Sequence, residues 1–343
     1  MKPHISQSPI SRRQFVVQTT AIGATLVGAT SLRLAAREDS KSTPDTPGSP
    51  QEPLFRFIQI NDLHVQSTDP TLPPIGNYNK ANEKARWVIR AINREMFCPT
   101  PAFVIGLGDM IQGERLERLG PDLQTFKAMI RTLRCPFYPV LGNHEVIQQE
   151  HSLQHLKPYV DVFGKDRINY TFEQNGMLFI ALNNSGGDNP KNGKVRRQWL
   201  QQILQANRKK PKIVLCHIPL LPVREQAVLA KSFGFSSYID CDPQMLPLIE
   251  EYSDSTITVL SGHLHLTGMA ERKGIVHLSL SGTASYPSDG AVVYEVYPDR
   301  IEAIVKAIPR DLAQAAPTLH GKPRYDYDLT DATHSTYQEY QCG

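Results

Sequence analysis

Short apolar runs alternate with stretches of helical periodicity along most of this chain of 343 residues. Eight such runs stand out, at residues 54–60, 102–107, 137–141, 177–182, 212–216, 256–261, 275–280 and 291–297. Runs this short, bounded by turn residues, are typical of buried strands rather than of helices. The alternation of strands with helices predicts a layered α/β fold.

The spacing of the runs predicts how the strands pair. Apolar residues recur at helical spacing from Ala81 to Ile92, with Asn79 as an available N-cap, so a crossover helix joins the first two strands, which should be parallel. The later runs lie closer together and are separated by turn residues, which are Gly262, Gly274, Gly282 and residues 287–290. That spacing indicates antiparallel pairing in a second sheet. We expect two mixed sheets packed face to face, with helices outside.

Residues 1–36 have the pattern of a targeting segment. A basic start leads to Ser11-Arg12-Arg13-Gln14-Phe15 and then to an apolar run over residues 16–32, which resembles a bacterial twin-arginine export signal. Polar residues and glycines interrupt the run, so it is too polar for a transmembrane anchor. We therefore predict a partner in the twin-arginine translocation machinery and a periplasmic or secreted protein, which would stay tethered to the membrane if the signal is not cleaved.

The remaining boundaries follow from composition. Residues 37–53 are polar or are Pro and Gly, and are predicted to form a disordered linker. A single folded domain should extend from residue 54 to residue 309, and residues 310–343 should form a C-terminal tail of undefined role.

The charge of the chain argues against a nucleic-acid partner. The formal net charge of +3 comes from the first 36 residues, which carry Lys2, Arg12, Arg13 and Arg33 and no acid. The predicted domain is therefore close to neutral, and lacks the basic field that attracts polymeric nucleic acid.

The five cysteines indicate neither a disulfide scaffold nor a thiolate metal site. Their number is odd and no C-x-x-C spacing is present. Cys98 and Cys135 each precede a predicted strand, so they could lie together at one edge of a sheet.

Five short polar segments stand at the ends of apolar runs. They are Asp62-Leu63-His64, Gly108-Asp109, Gly142-Asn143-His144-Glu145, His217 and Gly262-His263-Leu264-His265. Ligands of open α/β sheets gather at the carboxyl ends of strands, so these segments can converge on one place. Carboxylate, imidazole and amide donors suit Mn, Fe, Zn or Co. Seven such groups exceed the needs of one ion and suit two ions about 3.5 to 4 Å apart that share one carboxylate.

The order D-x-H, G-D, G-N-H-E, H and G-H-x-H resembles the signature of calcineurin-like metallophosphoesterases, a family with an α/β/β/α sandwich fold. The resemblance implies that Asp62, His64, Asp109 and His265 bind one metal ion. Asp109, Asn143, His217 and His263 would bind the other, which makes Asp109 the bridging ligand. It also implies that His144 stays off the metals and acts on the phosphate or the leaving group, while Glu145 orients its own loop.

Position 112 separates this chain from two branches of the family. Purple acid phosphatases have a Tyr ligand there, and protein Ser/Thr phosphatases have an Asp that pairs with the catalytic His, whereas this chain has Gln112. The D-x-H pattern is most similar to that of class III cyclic-nucleotide phosphodiesterases.

These features predict a two-metal hydrolase of phosphate esters. Two cations should lower the pKa of a bridging water from about 15.7 towards roughly 7 to 9, so that hydroxide attacks phosphorus in line. A phosphodiesterase for small substrates is the first hypothesis. A phosphomonoesterase that scavenges phosphate outside the cytoplasm and a non-catalytic binding module are the alternatives. Folding before export would allow metal loading in the cytoplasm, which favours Mn or Fe over Zn.

Overall fold

The computed structural model describes residues 15–20, 52–72, 80–113, 115–146, 153–185, 190–223, 242–265, 267–284, 289–309, 312, 318–319 and 322–323. Most of the predicted signal segment, linker and tail therefore lies outside the described residues, as does the proposed cap Asn79. Their boundaries remain predictions.

The first sheet has six strands in the order β1-β12-β11-β2-β3-β4. These strands are β1 (Phe15–Thr20), β2 (Phe55–Ile60), β3 (Phe103–Leu107), β4 (Phe137–Val140), β11 (Asp289–Val296) and β12 (Ile301–Ala307). Strands β2, β3 and β4 are parallel to one another, while β11 is antiparallel to both of its neighbours. The carboxyl ends of β2, β3 and β4 therefore meet at one edge of the sheet.

The second sheet also has six strands, in the order β5-β6-β7-β8-β10-β9. They are β5 (Tyr170–Gln174), β6 (Met177–Ala181), β7 (Lys212–Leu215), β8 (Thr256–Ser261), β9 (Gly268–Arg272) and β10 (Ile275–Ser279). Strands β6, β7, β8 and β10 are parallel, and the edge strands β5 and β9 are antiparallel to their neighbours. A separate short hairpin pairs β13 (Thr318–Leu319) with β14 (Lys322–Pro323).

Five helices accompany the sheets in the described part of the chain. They are α1 (Ala81–Asn93), α2 (Leu116–Ile130), α3 (Leu153–Phe163), α4 (Pro190–Ala206) and α5 (Met245–Glu250), with a 3-10 turn at Lys165–Arg167. Helix α1 buries the predicted apolar stripe and joins the parallel strands β2 and β3, as expected. Its N-cap residue is Lys80, in a left-handed conformation with φ 58°.

Three apolar clusters define four layers. One lies beneath helices α1 to α3 on the first sheet, and one lies beneath α4 and α5 on the second sheet. The third fills the space between the sheets, where Phe57 stacks on Phe103 at 5.2 Å and meets Phe179 edge-on at 5.3 Å between ring centroids. Burying each such ring stabilises the fold by about 1.5–3 kcal/mol. The predicted face-to-face sandwich with helices outside is confirmed.

The predicted pairing of the later strands is only partly correct. Strand β11 belongs to the first sheet, not the second, and β10 runs parallel to β8. Within the second sheet, β9 pairs with β10 in an antiparallel hairpin. Chain proximity suggested local hairpins, but β11 buries both faces, between the sheets and beneath the helices, and so occupies a central position beside β2.

The described part of the predicted signal segment is strand β1, which pairs in parallel with β12 at the sheet edge. Among the described helices, none combines the length and apolarity needed to cross a bilayer. Cys98 and Cys135 are free thiols, so the two residues form no disulfide with each other.

Candidate metal centre

All five polar segments follow directly from the carboxyl ends of parallel strands. The Asp62, Asp109 and Asn143 segments follow β2, β3 and β4 in the first sheet, and the His217 and His263 segments follow β7 and β8 in the second. The loops after β2 and β3 stay paired beyond the sheet, through hydrogen bonds from the Asp62 N–H to the Gly108 carbonyl and from the His64 N–H to the Asp109 carbonyl, both at 3.0 Å. The two sheets therefore present their functional side chains at a common edge.

One group of four side chains converges within this edge. Asp62, His64, Asp109 and His265 each offer a ligand atom, and these atoms lie within 4.8 Å of one another. The Nε2 atoms of His64 and His265 are 3.0 Å apart, and His265 Nε2 is 3.1 Å from Asp62 Oδ1. All four side chains are buried.

A second group shares Asp109 with the first. Ligand atoms of Asp109, His217 and His263 also lie within 4.8 Å of one another. His217 Nε2 is 3.2 Å from Asp109 Oδ2 and 3.0 Å from Asn143 Oδ1, which places the Asn143 amide oxygen beside this group. The seven side chains singled out from the sequence are thus brought together as two overlapping sets.

The local backbone of these loops is unusual. Positive φ angles occur at Asp62 (50°), His64 (48°), Asp109 (49°), His263 (69°) and His265 (52°). The residue between the two ligands of the D-x-H loop is the fully buried Leu63, and the residue between the two histidines of the G-H-x-H loop is the fully buried Leu264. His263 and His265 are both left-handed, so the segment that carries them is a turn and not an extended strand. The buried leucines anchor turns whose outer two residues project into the site.

Hydrogen bonds fix which nitrogen of His217 faces the site. Its Nδ1 lies 2.7 Å from the Leu107 carbonyl, which can only accept, so Nδ1 carries the hydrogen and Nε2 faces Asp109. Burial lowers the pKa of His217, but the Asp109 carboxylate outweighs it and raises the pKa to about 9. In the metal-free protein, His217 and Asp109 are therefore an ion pair.

The other imidazoles are held neutral. Burial, with the neighbouring His217 charge, lowers the pKa of His263 to about 3. Burial and the adjacent His144 and His265 rings hold the pKa of His64 well below its usual value. Neutral imidazole is the form that binds metal ions, so these two groups are preset as ligands.

Glu145 organises two of the loops without pointing at the site. Its fully buried carboxylate accepts hydrogen bonds from the N–H groups of Asp109 at 3.0 Å, Ile111 at 3.1 Å and Gly142 at 2.7 Å. Burial and the nearby Asp109 charge raise the pKa of Glu145 to about 7. This carboxylate joins the loops after β3 and β4.

His144 stands at the accessible side of the cluster. Its side chain is 16% exposed, while those of Asp109 and His217 are 2% and 0% exposed. Its Nε2 is 3.8 Å from Asp109 Oδ2, and its Nδ1 is 2.5 Å from the Gln112 carbonyl oxygen. The backbone of Gln112 therefore orients a ring that, on the sequence alone, had no evident partner at this position.

Two asparagines that the sequence analysis did not select support the ligands. Asn61 donates to Asp62 Oδ2 at 2.5 Å and accepts from Gln59, which in turn accepts from the Tyr294 hydroxyl. Asn184 accepts from the backbone N–H of His217 at 3.1 Å. The position of Asn61 directly before Asp62 was a usable signal, whereas nothing in the sequence around Asn184 pointed to the site.

The cluster fits two divalent cations. Two ring nitrogens face each other at 3.0 Å, and a carboxylate oxygen lies 3.1 Å from one of them. These three atoms share too few hydrogens for both contacts to be hydrogen bonds. A cation between them would accept a lone pair from each atom instead. Carboxylate, imidazole and amide donors without sulfur suit Mn, Fe, Zn or Co. The buried cluster and its shared carboxylate support a dinuclear site.

Two solved structures with the same fold are phosphatases by name. A dimetal phosphatase from Danio rerio aligns with a TM-score of 0.53 at 16% identity, over 75% of this chain and 100% of that one. A purple acid phosphatase from yellow lupin, Lupinus luteus, aligns with a TM-score of 0.52 at 14% identity, over 84% of this chain and 58% of that one. At these identities the likeness concerns the fold.

Among curated proteins, none matches the chain at a significant level. The model of the calcineurin-like phosphoesterase family, however, matches residues 55–266, the span that contains all five ligand loops. With the dinuclear cluster, this match makes the chain a metal-dependent phosphoester hydrolase that belongs to the calcineurin-like phosphoesterase family.

Proposed function

We propose that this chain is a two-metal phosphodiesterase for small substrates, with a cyclic-nucleotide-like diester as the substrate class. One observation carries the proposal: two groups of ligands share Asp109, and His144 stands beside them at the accessible side of the cluster. Asp62, His64 and His265 would bind the first ion with Asp109, and Asn143, His217 and His263 would bind the second.

The chemistry supplied by two bound divalent ions is Lewis-acid activation of a water molecule and neutralisation of charge on the phosphoryl oxygens. The protein's own part is to hold the ligands and to move a proton. His144 Nδ1–H donates to the Gln112 carbonyl, so its Nε2 faces the site and can carry a proton to the leaving oxygen. A positioned proton donor of this kind is worth about 10²- to 10⁴-fold in rate.

Two features favour a diester substrate over a phosphoprotein. The D-x-H loop resembles that of class III cyclic-nucleotide phosphodiesterases. Gln112, whose backbone and not side chain holds His144, stands where protein Ser/Thr phosphatases have their aspartate. A phosphomonoesterase is the alternative within the family.

Hydrolysis of a chromogenic phosphodiester against the matching monoester, by the metal-loaded full chain, tests the proposal. Higher kcat/KM on the diester is the expected result. A preference for the monoester would replace the proposal by the scavenging phosphatase. Absence of turnover on both esters, with two metals bound per chain, would instead favour a binding module.

The roles of Asp109 and His144 are separable by turnover and metal content. Asp109→Asn should lose metal and activity together, since Asp109 belongs to both ligand groups. His144→Ala should retain both metals and lose about 10²- to 10⁴-fold in rate on a diester whose alkoxide leaving group needs a proton. Loss of metal from the His144 variant, seen by elemental analysis, would contradict this division.

Export and metal identity form the remaining part of the proposal. Export by the twin-arginine route after folding would let the cytoplasm set the metals, which favours Mn or Fe. Cell fractionation of the full chain against an Arg12→Lys/Arg13→Lys variant tests the route. Elemental analysis of the exported protein tests the metals, and zinc alone would count against the proposal.

A further inference from the structure

Helix α2 carries a buried ion pair close to the candidate centre, and neither of its two residues is a proposed metal ligand. Arg118 and Asp122 are one turn apart, with side chains 2% and 0% exposed. Arg118 Nη2 is 2.9 Å from Asp122 Oδ1, and Arg118 Nε is 3.3 Å from Asp122 Oδ2, so the pair is bidentate. A buried pair adds little to stability because desolvation offsets its attraction, so its other contacts are the informative ones.

Asp122 uses its remaining acceptor capacity on the backbone of two ligand loops. Its Oδ1 accepts from the Ser67 N–H at 2.7 Å, and its Oδ2 accepts from the Gly113 N–H at 3.2 Å. Ser67 lies three residues after His64, and Gly113 lies four residues after Asp109. Arg118 adds a hydrogen bond to the Ser67 carbonyl at 3.4 Å. One carboxylate therefore joins the continuations of the D-x-H and G-D loops.

The contact with Gly113 reaches His144 through a single peptide group. The N–H of Gly113 and the carbonyl of Gln112 belong to the same planar unit, so fixing one fixes the direction of the other. Asp122 accepts from the N–H end, and the carbonyl end accepts from His144 Nδ1–H. Hydrogen bonds aligned in this way also polarise one another.

Gly113 allows this approach. Its φ is +54°, and a Cβ at this position would lie 2.0 Å from the His144 carbonyl oxygen. Any larger residue would push the peptide away from the His144 loop. The chain Asp122, peptide 112–113 and His144 therefore depends on glycine at its centre.

We propose that Asp122, held by Arg118, is a positioning residue for His144 and acts through the peptide group between Gln112 and Gly113. This inference rests on the proposed function of His144 as the proton donor. Where protein Ser/Thr phosphatases pair a carboxylate directly with the histidine, this chain places a peptide between the two.

The test compares two phosphodiesters that differ only in the leaving group, a nitrophenolate and an alkoxide. A proton donor matters for the alkoxide and little for the nitrophenolate, because only the alkoxide needs a proton to leave. His144→Ala should lose about 10²- to 10⁴-fold in kcat on the alkyl ester and much less on the nitrophenyl ester. Asp122→Asn should show the same selectivity, with KM and metal content unchanged, because asparagine has a single acceptor oxygen for the two loop N–H groups.

The combined variant Asp122→Asn/His144→Ala should be no slower than His144→Ala on the alkyl ester, since coupled residues are non-additive. Glu250→Gln is the matched control. Glu250 is a buried carboxylate paired with Arg272 at 2.5 Å and Lys273 at 2.8 Å, at the opposite end of the second sheet from the ligands. It should lower stability without any dependence on the leaving group.

The outcomes separate the two proposals. If His144→Ala slows both esters equally, the donor role fails, and the positioning role fails with it. If His144→Ala is selective and Asp122→Asn slows both esters equally or neither, only the positioning role is overturned. Should Asp122→Asn not fold, the double variant Arg118→Met/Asp122→Asn also removes the buried charge of Arg118 and gives the same comparison.

Discussion

At the scale of single residues, the centre is built from backbone conformations that L-residues seldom adopt. Five of the seven proposed ligands have positive φ angles, each of which costs on the order of 1–3 kcal/mol unless local hydrogen bonds offset it. The offset is visible at Asp62, whose Oδ2 accepts from the N–H of His263, so that one strained loop supports another. Asp62, after a strand of the first sheet, therefore supports the loop of His263, which follows a strand of the second.

Glu145 is the residue whose loss should separate stability from chemistry. Glutamine in its place has one carbonyl oxygen and turns an N–H donor towards at least one of three backbone N–H groups. We expect Glu145→Gln to lower the free energy of unfolding by about 1–3 kcal/mol. Metal affinity should fall about 10- to 100-fold, because the Asp109 and Gly142 loops loosen. Denaturant unfolding and metal titration measure the two effects.

An exposed carboxylate provides the control for Glu145. Glu173 is half exposed and lies 2.6 Å from Lys210, far from the ligands in sheet position. Glu173→Gln should change the free energy of unfolding by about 0–1 kcal/mol and leave metal affinity unchanged. Equal effects of the two substitutions would refute the role given to Glu145.

At the scale of elements, the glycine before Asp109 permits a close approach between the loops of the two sheets at the site. Gly108 has φ +81°, and a Cβ there would lie 2.4 Å from His217 Nδ1 and 2.8 Å from the Gly142 Cα. Gly108→Ala should therefore displace His217 and weaken binding at the second ligand group. We expect this substitution to lower the free energy of unfolding by about 1–3 kcal/mol more than a Gly→Ala substitution at a glycine that has a positive φ but no close neighbours.

Gly274 is that uncrowded glycine. It lies in the turn between β9 and β10 with φ +73°, and no atom lies within 4 Å of a Cβ built on it. Gly274→Ala thus measures the conformational cost alone, on the order of 1–2 kcal/mol. The unfolding midpoint and the metal content of both variants test this comparison. A Gly108→Ala variant that keeps two metals and is as stable as Gly274→Ala would show that no collision occurs.

The elements also show how far sequence patterns reach. All eight apolar runs are strands, because burial on one or both faces leaves a local signature. The hairpin of β5 and β6 was missed although Asn175-Gly176, at φ 48° and 80°, is a strong hairpin signal, and β12 was missed although Ile301, Ala303 and Val305 alternate inward. The placement of β11 beside β2 was unpredictable, since a strand's pattern records its buried faces and not its partner.

The same limit applies to the centre. The order of Asp62, Asp109 and His217 along the chain was enough to predict that they share one edge, because strand ends converge. The support from Gln112, Asn184 and Asp122 could not be predicted, because it depends on backbone groups that meet only after loops from distant parts of the sequence pack together.

At the scale of the whole molecule, the proposed ligands divide between the two sheets. Asp62, Asp109 and Asn143 follow strands of the first sheet, and His217 and His263 follow strands of the second. Bound metals would therefore cross-link the sandwich at its functional edge. Any ligand that binds only the folded state stabilises it by RT ln(1 + [L]/Kd), about 2.7 kcal/mol at 100-fold excess over Kd.

Chelation should accordingly lower the melting temperature, and by more at pH 9 than at pH 6.5. In the metal-free protein the pKa of His217 is raised to about 9, whereas that of an unfolded histidine is about 6.5. The pairing of His217 with Asp109 therefore stabilises the metal-free folded protein fully below pH 6.5, and this stabilisation is lost towards pH 9. Metal binding must displace the same proton, so metal stabilises least where the proton is held most tightly. Thermal unfolding with and without chelator at both pH values measures the difference.

Asp109→Asn, which should bind no metal, serves as the control and should not respond to chelator. A chelator effect that is equal at the two pH values would show that the His217–Asp109 pair does not compete with the metal.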